Sequence, residues 1–172
     1  MTRLVEDPVL KQRYRFERDG DVVRVEAWID PRGGVTPHRH PGFEERFQVL
    51  AGEVTFTLGR RKVLARAGES VVVPAGTRHA YRNRGAAEAH MVADAEPGLE
   101  LQEFLEDVAV LSQARKINRF GMPTGPRAAV EAAVVAARYR ETVELDFPPW
   151  FAVAALARLG RSRTTGHSTA IR

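Results

Sequence analysis

The sequence predicts a mainly β fold, a closed or double-sheet β-barrel followed by about three α-helices. Three observations carry that reading. Up to about residue 97, short runs of alternating apolar and polar residues are separated by Gly, Pro and Asp turns. Beyond Pro97 the apolar period lengthens from two to about 3.6. The chain has 172 residues, 44% of them hydrophobic, which is enough to bury one real core with a modest extension.

The β-type runs begin with Tyr14–Arg18 and Val22–Ile29, which flank Asp19-Gly20-Asp21. The Asp-Gly pair is a strong hairpin signal, because its residues accept the positive φ that tight turns require. Glu45–Leu50 and Val54–Leu58 flank Ala51-Gly52-Glu53 in the same way. Lys62–Ala65, Ser70–Val73, His79–Arg82 and Ala89–Ala93 follow at short intervals, as in barrels and double-sheet folds. On Val22–Ile29 one face is Val23, Val25, Ala27 and Ile29, and the other is Arg24, Glu26 and Trp28. The apolar face is expected inward, with Arg24 and Glu26 as solvated charges. Were the faces reversed, Arg24 would bind an anionic substrate.

Leu101, Phe104, Leu105, Val108 and Leu111 form one apolar stripe, which predicts a helix over Leu99–Ala114. A Gly- and Pro-rich loop leads to Pro126, a residue suited to the first turn of a helix over Arg127–Arg140. A third helix is expected from Pro148 or Pro149 to Leu159, with Gly160 as its stop. The second and third helices are apolar on nearly every side, so they are expected to pack on the barrel or on a second subunit. The resulting organisation is a barrel over residues 1–97, a helical extension over 98–160 and a flexible basic tail over 161–172.

Composition excludes several classes. With no cysteine there is no disulfide framework, iron–sulfur cluster, thiolate zinc site or Cys nucleophile. The net charge of +4 lies at the C-terminus: setting aside Arg158, Arg161, Arg163 and Arg172 leaves basic and acidic residues equal in number. With a neutral barrel and no helix-turn-helix pattern, no nucleic-acid partner is expected. The polar opening, Met1 to Asp7, carries no apolar signal region, and no run reaches the roughly 20 residues of a membrane span. A cytoplasmic protein is the expectation. The alternative is membrane association through the C-terminal helix, with Trp150 and Phe151 immersed and the arginines near anionic headgroups.

The chemistry lies in the histidines. His38-Arg39-His40 in an extended strand points both imidazoles to one face. Glu45 follows at the start of a strand, and His79 comes later in Gly68-Glu-Ser-Val-Val-Val-Pro74-Ala-Gly76-Thr-Arg-His79-Ala-Tyr-Arg-Asn83. Three imidazoles and a carboxylate suit Mn, Fe, Co, Ni, Cu or Zn, whereas Ca and Mg favour all-oxygen shells. Glu44 is the competing carboxylate and is expected on the opposite face. His90 is expected to be an ordinary core or surface residue, and His167 falls in the tail.

These stretches resemble the two signature motifs of the cupins. The first runs from Gly33 through His38, His40 and Glu45 to Gly52, departing only in that Gly33 stands four rather than five residues before His38. The second is matched throughout by Gly68, Pro74, Gly76, His79 and Asn83. The resemblance covers about residues 20–95 and implies a double-stranded β-helix, or jelly-roll barrel. It also implies that His38, His40, Glu45 and His79 bind one divalent metal (Fe, Mn, Ni or Zn) inside the barrel. Gly52, Gly68, Pro74 and Gly76 are then turn residues, and Asn83 a turn or ladder cap.

Alternation adds Phe47 and Val49, which share a face with Glu45, and Tyr81, which shares one with His79, as walls of the pocket. The Tyr81 hydroxyl is expected to orient a substrate. The function implied is a metal-dependent enzyme on a small organic molecule, with dioxygenase-type oxidation first and isomerisation or decarboxylation as the alternative. A non-catalytic, ligand-binding regulatory barrel is the competing class. A homodimer is expected on family grounds.

Overall fold

A computed structural model describes residues 3–146 and 150–164, with side chains described over 3–146 and 152–159. Its first strands, β1 (Val5–Asp7), β2 (Gln12–Asp19) and β3 (Val22–Ile29), form an antiparallel meander. The two-residue strand β4 (His38–Arg39) is followed by β5 (Glu44–Ala51), β6 (Glu53–Leu58) and β7 (Arg61–Arg66). Then come β8 (Ser70–Val73), β9 (His79–Arg82) and β10 (Ala89–Glu96). Helices α1 (Leu101–Gln113) and α2 (Pro126–Arg138), a short strand β11 (Glu144–Leu145) and helix α3 (Trp150–Thr164) complete the chain.

The strands form two antiparallel sheets. One has the order β1-β2-β3-β10-β5-β8, and the other β11-β4-β9-β6-β7. Their inner faces carry the core, and strand alternation decides which residues reach it. Val23, Val25, Ala27 and Ile29 of β3 are buried, while Arg24 is exposed and hydrogen-bonds Asp94 on β10 through both oxygens. Arg24 and Glu26 therefore lie on the outer face, as the pattern predicts. In β5 the buried residues are Glu45, Phe47 and Val49, so the carboxylate belongs to the core face, whereas Glu44 pairs with Arg46.

The barrel closes where backbones nearly touch. A Cβ on Gly33 would stand 2.4 Å from the Lys11 carbonyl oxygen, and one on Gly34, at φ +149°, 2.2 Å from that of Tyr81. This crossing brings the entry to β4 against the exit of β9, and only glycine allows it. The opening glycine of the first motif thus serves a close approach.

Helix α1 lays its apolar stripe across the barrel, with Leu101, Phe104 and Leu105 packed on the main core. It is tied to β1 by a buried polar pair. Ser112 Oγ donates to Asp7 Oδ1 and accepts from the Val9 N–H at 3.0 Å. Helices α2 and α3 pack on each other around Ala133, Val153 and Ala157, a second and smaller core. Two expectations need correction. Helix α3 runs through Gly160 to Thr164 instead of stopping at the glycine. Strands β1 and β11, of three and two residues, have no counterpart in the sequence pattern, because so short a run has no measurable period. Residues 165–172, including His167, lie outside the described residues, as do the side chains of Trp150 and Phe151. Among the described residues no helix is long and apolar enough to cross a membrane.

Candidate metal centre

The four motif residues meet between the two sheets. His38 on β4 pairs directly with His79 on β9, so their rings stand 4.3 Å apart on one face. His40 follows β4 and stacks on Phe43 at 4.3 Å. Glu45 reaches them from the opposite sheet: its Oε2 is 2.9 Å from His79 Nε2 and 3.2 Å from His40 Nε2. One donor atom from each of the four lies within 4.8 Å of the others.

Each imidazole is oriented from behind. His38 Nδ1 donates to the Thr36 carbonyl at 2.8 Å, His79 Nδ1 to that of Thr77 at 3.0 Å, and His40 Nδ1 to that of Thr142 at 2.7 Å. A carbonyl only accepts, so each Nδ1 carries a proton and each Nε2 is directed into the cluster. That is the tautomer a metal-binding histidine needs. The second motif has its part here too, since the Gly76 N–H donates to the His40 carbonyl at 2.7 Å.

The third carbonyl comes from far along the chain. Thr142 is buried in the segment that links α2 to β11. There β11 pairs with β4, placing Leu145 opposite His38 and Glu144 opposite Arg39. Asp146 then forms ion pairs with Arg39 and Arg78 on the adjoining strands. This strap, residues 139–146, is a part of the site that sequence reasoning missed. Nothing in a strand of two residues distinguishes it from loop.

The electrostatics are those of a cation site. Burial, together with the neighbouring imidazoles, holds His38 down to about 3, so it is neutral at ordinary pH. Burial works against the charged form of His40 as well, but the Glu45 carboxylate outweighs it and raises His40 above its usual value. Burial likewise works against the Glu45 carboxylate, yet His40 and His79 beside it hold its acidity below the usual range. The cluster therefore gathers charge around one proton. Even so, Glu45 Oε2 and His79 Nε2 are buried without a hydrogen-bond partner, being in contact but not aligned. Orphaned buried acceptors are costly. A divalent cation would satisfy both atoms and both remaining imidazoles, so the donor set fits a transition metal.

A cavity of about 90 Å³ adjoins the cluster. Phe47 and Tyr81 line it, as alternation predicts. Val49 does not: it is buried in the core, about 13 Å along β5 from Glu45. The Tyr81 hydroxyl donates to Gln12 Oε1 at 2.7 Å, so its proton is committed and it is left to accept from a ligand. Helix α1 supplies Leu101, Phe104, Leu105 and Val108 to the opposite wall, and the strap supplies Leu145. Of the remaining candidates, Asn83 donates to the Ile29 and Ala87 carbonyls and accepts from the Gly85 N–H, which makes it a turn brace. His90 stacks on Trp28 at 4.8 Å and bonds Glu26, away from the cluster.

The result is a two-sheet β-barrel whose interior gathers three Nε2 atoms and one carboxylate, a donor set that could hold a metal ion. Residues 25–93, most of the barrel, match the family model described as the cupin domain. An RmlC-like cupin from Shewanella frigidimarina NCIMB 400 superposes with a TM-score of 0.54 at 16% identity, covering 59% of this chain and 89% of that one. A protein with a double-stranded β-helix domain from Klebsiella pneumoniae subsp. pneumoniae MGH 78578 is similar at 23% identity and a TM-score of 0.47, over 50% of this chain and 76% of that one. The first of these shows the fold. In sequence, 65 residues are 38% identical to part of the endoribonuclease YbeY of Myxococcus xanthus (strain DK1622), or 38% of this chain. The matched stretch spans 22% of that protein's length, and the activity in its name stays with it.

Proposed function

We propose that the chain is a metal-dependent oxidoreductase of the dioxygenase type, acting on a small organic molecule held between the four-residue cluster and α1. The observation that carries this is the locked tautomer of all three imidazoles, each with Nδ1 on a carbonyl and Nε2 facing Glu45. A redox-active ion such as Fe, Mn or Ni held by His38, His40, Glu45 and His79 would supply electron transfer and Lewis acidity. The chain's own part is to exclude water and to position. Leu101, Phe104, Leu105 and Val108 roof the cavity, and Tyr81 offers an acceptor oxygen beside the cluster.

Oxidation is favoured over isomerisation or decarboxylation by what the walls hold. Both of those need a group that gives or takes a proton near neutral pH. Apart from the four donors, the titratable groups lining the cavity are Tyr14 and Tyr81, and burial pushes both hydroxyls well above the ordinary tyrosine value.

The test is elemental mass spectrometry of gently purified, tag-free protein beside His79→Ala, followed by oxygen-electrode screening of enols, diols and thiols. Near one equivalent of Fe, Mn or Ni, lost in the variant, with substrate-dependent oxygen consumption, is the expected result. Zinc with no oxygen consumption would transfer the assignment to isomerase, decarboxylase or binding chemistry. No metal even after reconstitution would overturn the metal reading.

A further inference from the structure

The cavity has a second polar end. Tyr14 on β2 lines it and is 1% exposed, yet its hydroxyl makes no well-aligned hydrogen bond and has only the Tyr81 hydroxyl beside it. Gln12, two residues earlier on the same face, is 3% exposed. Its Oε1 takes the proton of Tyr81, which leaves its Nε2 without a partner. Two buried donors, neither with a well-aligned acceptor, therefore stand around one hydroxyl whose own proton is committed. Unsatisfied donors at such depth are rare in proteins and call for an occupant.

Tyr81 links this end to the cluster. It lies two residues from His79 on β9, and its ring meets Phe47 at 5.9 Å, while Phe47 meets His79 at 6.4 Å. Between the ends the walls are hydrocarbon: Val25, Met91 and Ala93 from the barrel, and Phe104, Leu105 and Val108 from α1. No lining residue is Lys, Arg or Asp, and Glu45 is the one carboxylate. A second anionic group on a ligand would be buried here without a partner, at a cost far above that of an uncharged oxygen.

Building on the metal reading, we propose that Tyr14, backed by Gln12, is a ligand anchor. The molecule taken up would chelate at the cluster, have an apolar body, and present an uncharged acceptor oxygen (carbonyl, ether or hydroxyl) to the Tyr14 hydroxyl. Ligands with an anionic far end, such as phosphorylated sugars or dicarboxylates, are disfavoured, because among the described residues no Lys or Arg lines the walls.

A matched pair of probes tests this. Kojic acid and comenic acid share a chelating hydroxypyranone and differ at the far end, hydroxymethyl in one and carboxylate in the other. Their dissociation constants are measured by calorimetry on metal-loaded wild-type protein and on Tyr14→Phe, after correction for affinity toward the free ion. Kojic acid is expected to bind at least ~10-fold more tightly than comenic acid, and Tyr14→Phe to weaken it ~5–10-fold, the size of one lost hydrogen bond. Metal affinity should not change. Without ligand, Tyr14→Phe should melt no lower than wild type, because it removes a hydroxyl that makes no well-aligned hydrogen bond.

Equal or tighter binding of comenic acid would overturn the proposal, as would binding of neither probe. Unchanged kojic acid affinity in the variant would overturn it as well, showing that Tyr14 bonds only to water. Failure of the wild type to retain metal would instead overturn the reading on which the proposal rests.

Discussion

Replacing Glu45 by Gln keeps the shape of the side chain and removes its charge, so it isolates the electrostatics of the cluster. With metal removed by chelator, the wild-type cluster is held by His40 in its charged form against the Glu45 carboxylate at 3.2 Å. The signs of the two shifts define a pH window. His40 is raised, so its contribution to stability is complete below the ordinary histidine value and disappears as pH rises through the raised one. Glu45 is depressed, so its contribution is present above the ordinary carboxylate value and is lost as pH falls through the lowered one. Both hold at pH 6. As pH rises through the raised His40 value its proton is lost, and the buried carboxylate is left without its charged partner.

Contacts to a charged group contribute about 1.5–3 kcal/mol, so losing the His40–Glu45 ion pair in Glu45→Gln should destabilise the metal-free protein by about 2 kcal/mol at pH 6. For a chain of this size that lowers the melting temperature by about 4–8 °C. Once the His40 proton is lost the variant should equal or exceed the wild type, since it no longer buries an uncompensated charge. Denaturant titrations from pH 6 upward, all in chelator, read this directly. The same loss at every pH, or none at pH 6, would refute the account of the cluster as a proton-holding cation site.

Three further outcomes follow from the fold. Ser112→Ala should cost about 2 kcal/mol in urea unfolding, because it strips a donor from the buried Asp7 carboxylate and leaves the Val9 N–H without its acceptor. Gly34→Ala should lower stability by about 3 kcal/mol or more, since its Cβ would enter the Tyr81 carbonyl at a positive φ; thermal melts of the purified variant check it. Asp146→Ala breaks partly exposed ion pairs to Arg39 and Arg78, so global stability should fall by less than about 1 kcal/mol. Amide exchange over residues 139–146 and the rate of metal loss to chelator should nevertheless rise together.

The barrel and its donors were legible because their signals are periodic or rigidly spaced. Alternation placed Glu45, Phe47 and the inner face of β3 correctly, since strand geometry assigns successive side chains to opposite faces. The motif spacings picked out His38, His40 and His79. What stayed hidden depends on contacts between distant parts of the chain. Val49 shares the right face but sits too far along its strand to reach the cavity, a distance that alternation alone does not measure. The Tyr81 proton is taken by Gln12, 69 residues away in sequence. Tyr14 looked like an ordinary strand aromatic, and only its burial without a well-aligned partner marks it out.

The dependence of His40 on Thr142 has a consequence for how the protein is made. All four donors have been synthesised once His79 is added, but the carbonyl that turns His40 lies 102 residues after it. The interval from His79 to Thr142 is 63 residues (142 − 79), about 3–13 s at ribosomal rates of roughly 5–20 residues per second. During it the nascent barrel has its full donor set with one imidazole still free to rotate. A chain cut short anywhere between α1 and the strap would have the same defect permanently. The oriented set of four donors is thus complete only in chains that already include the strap.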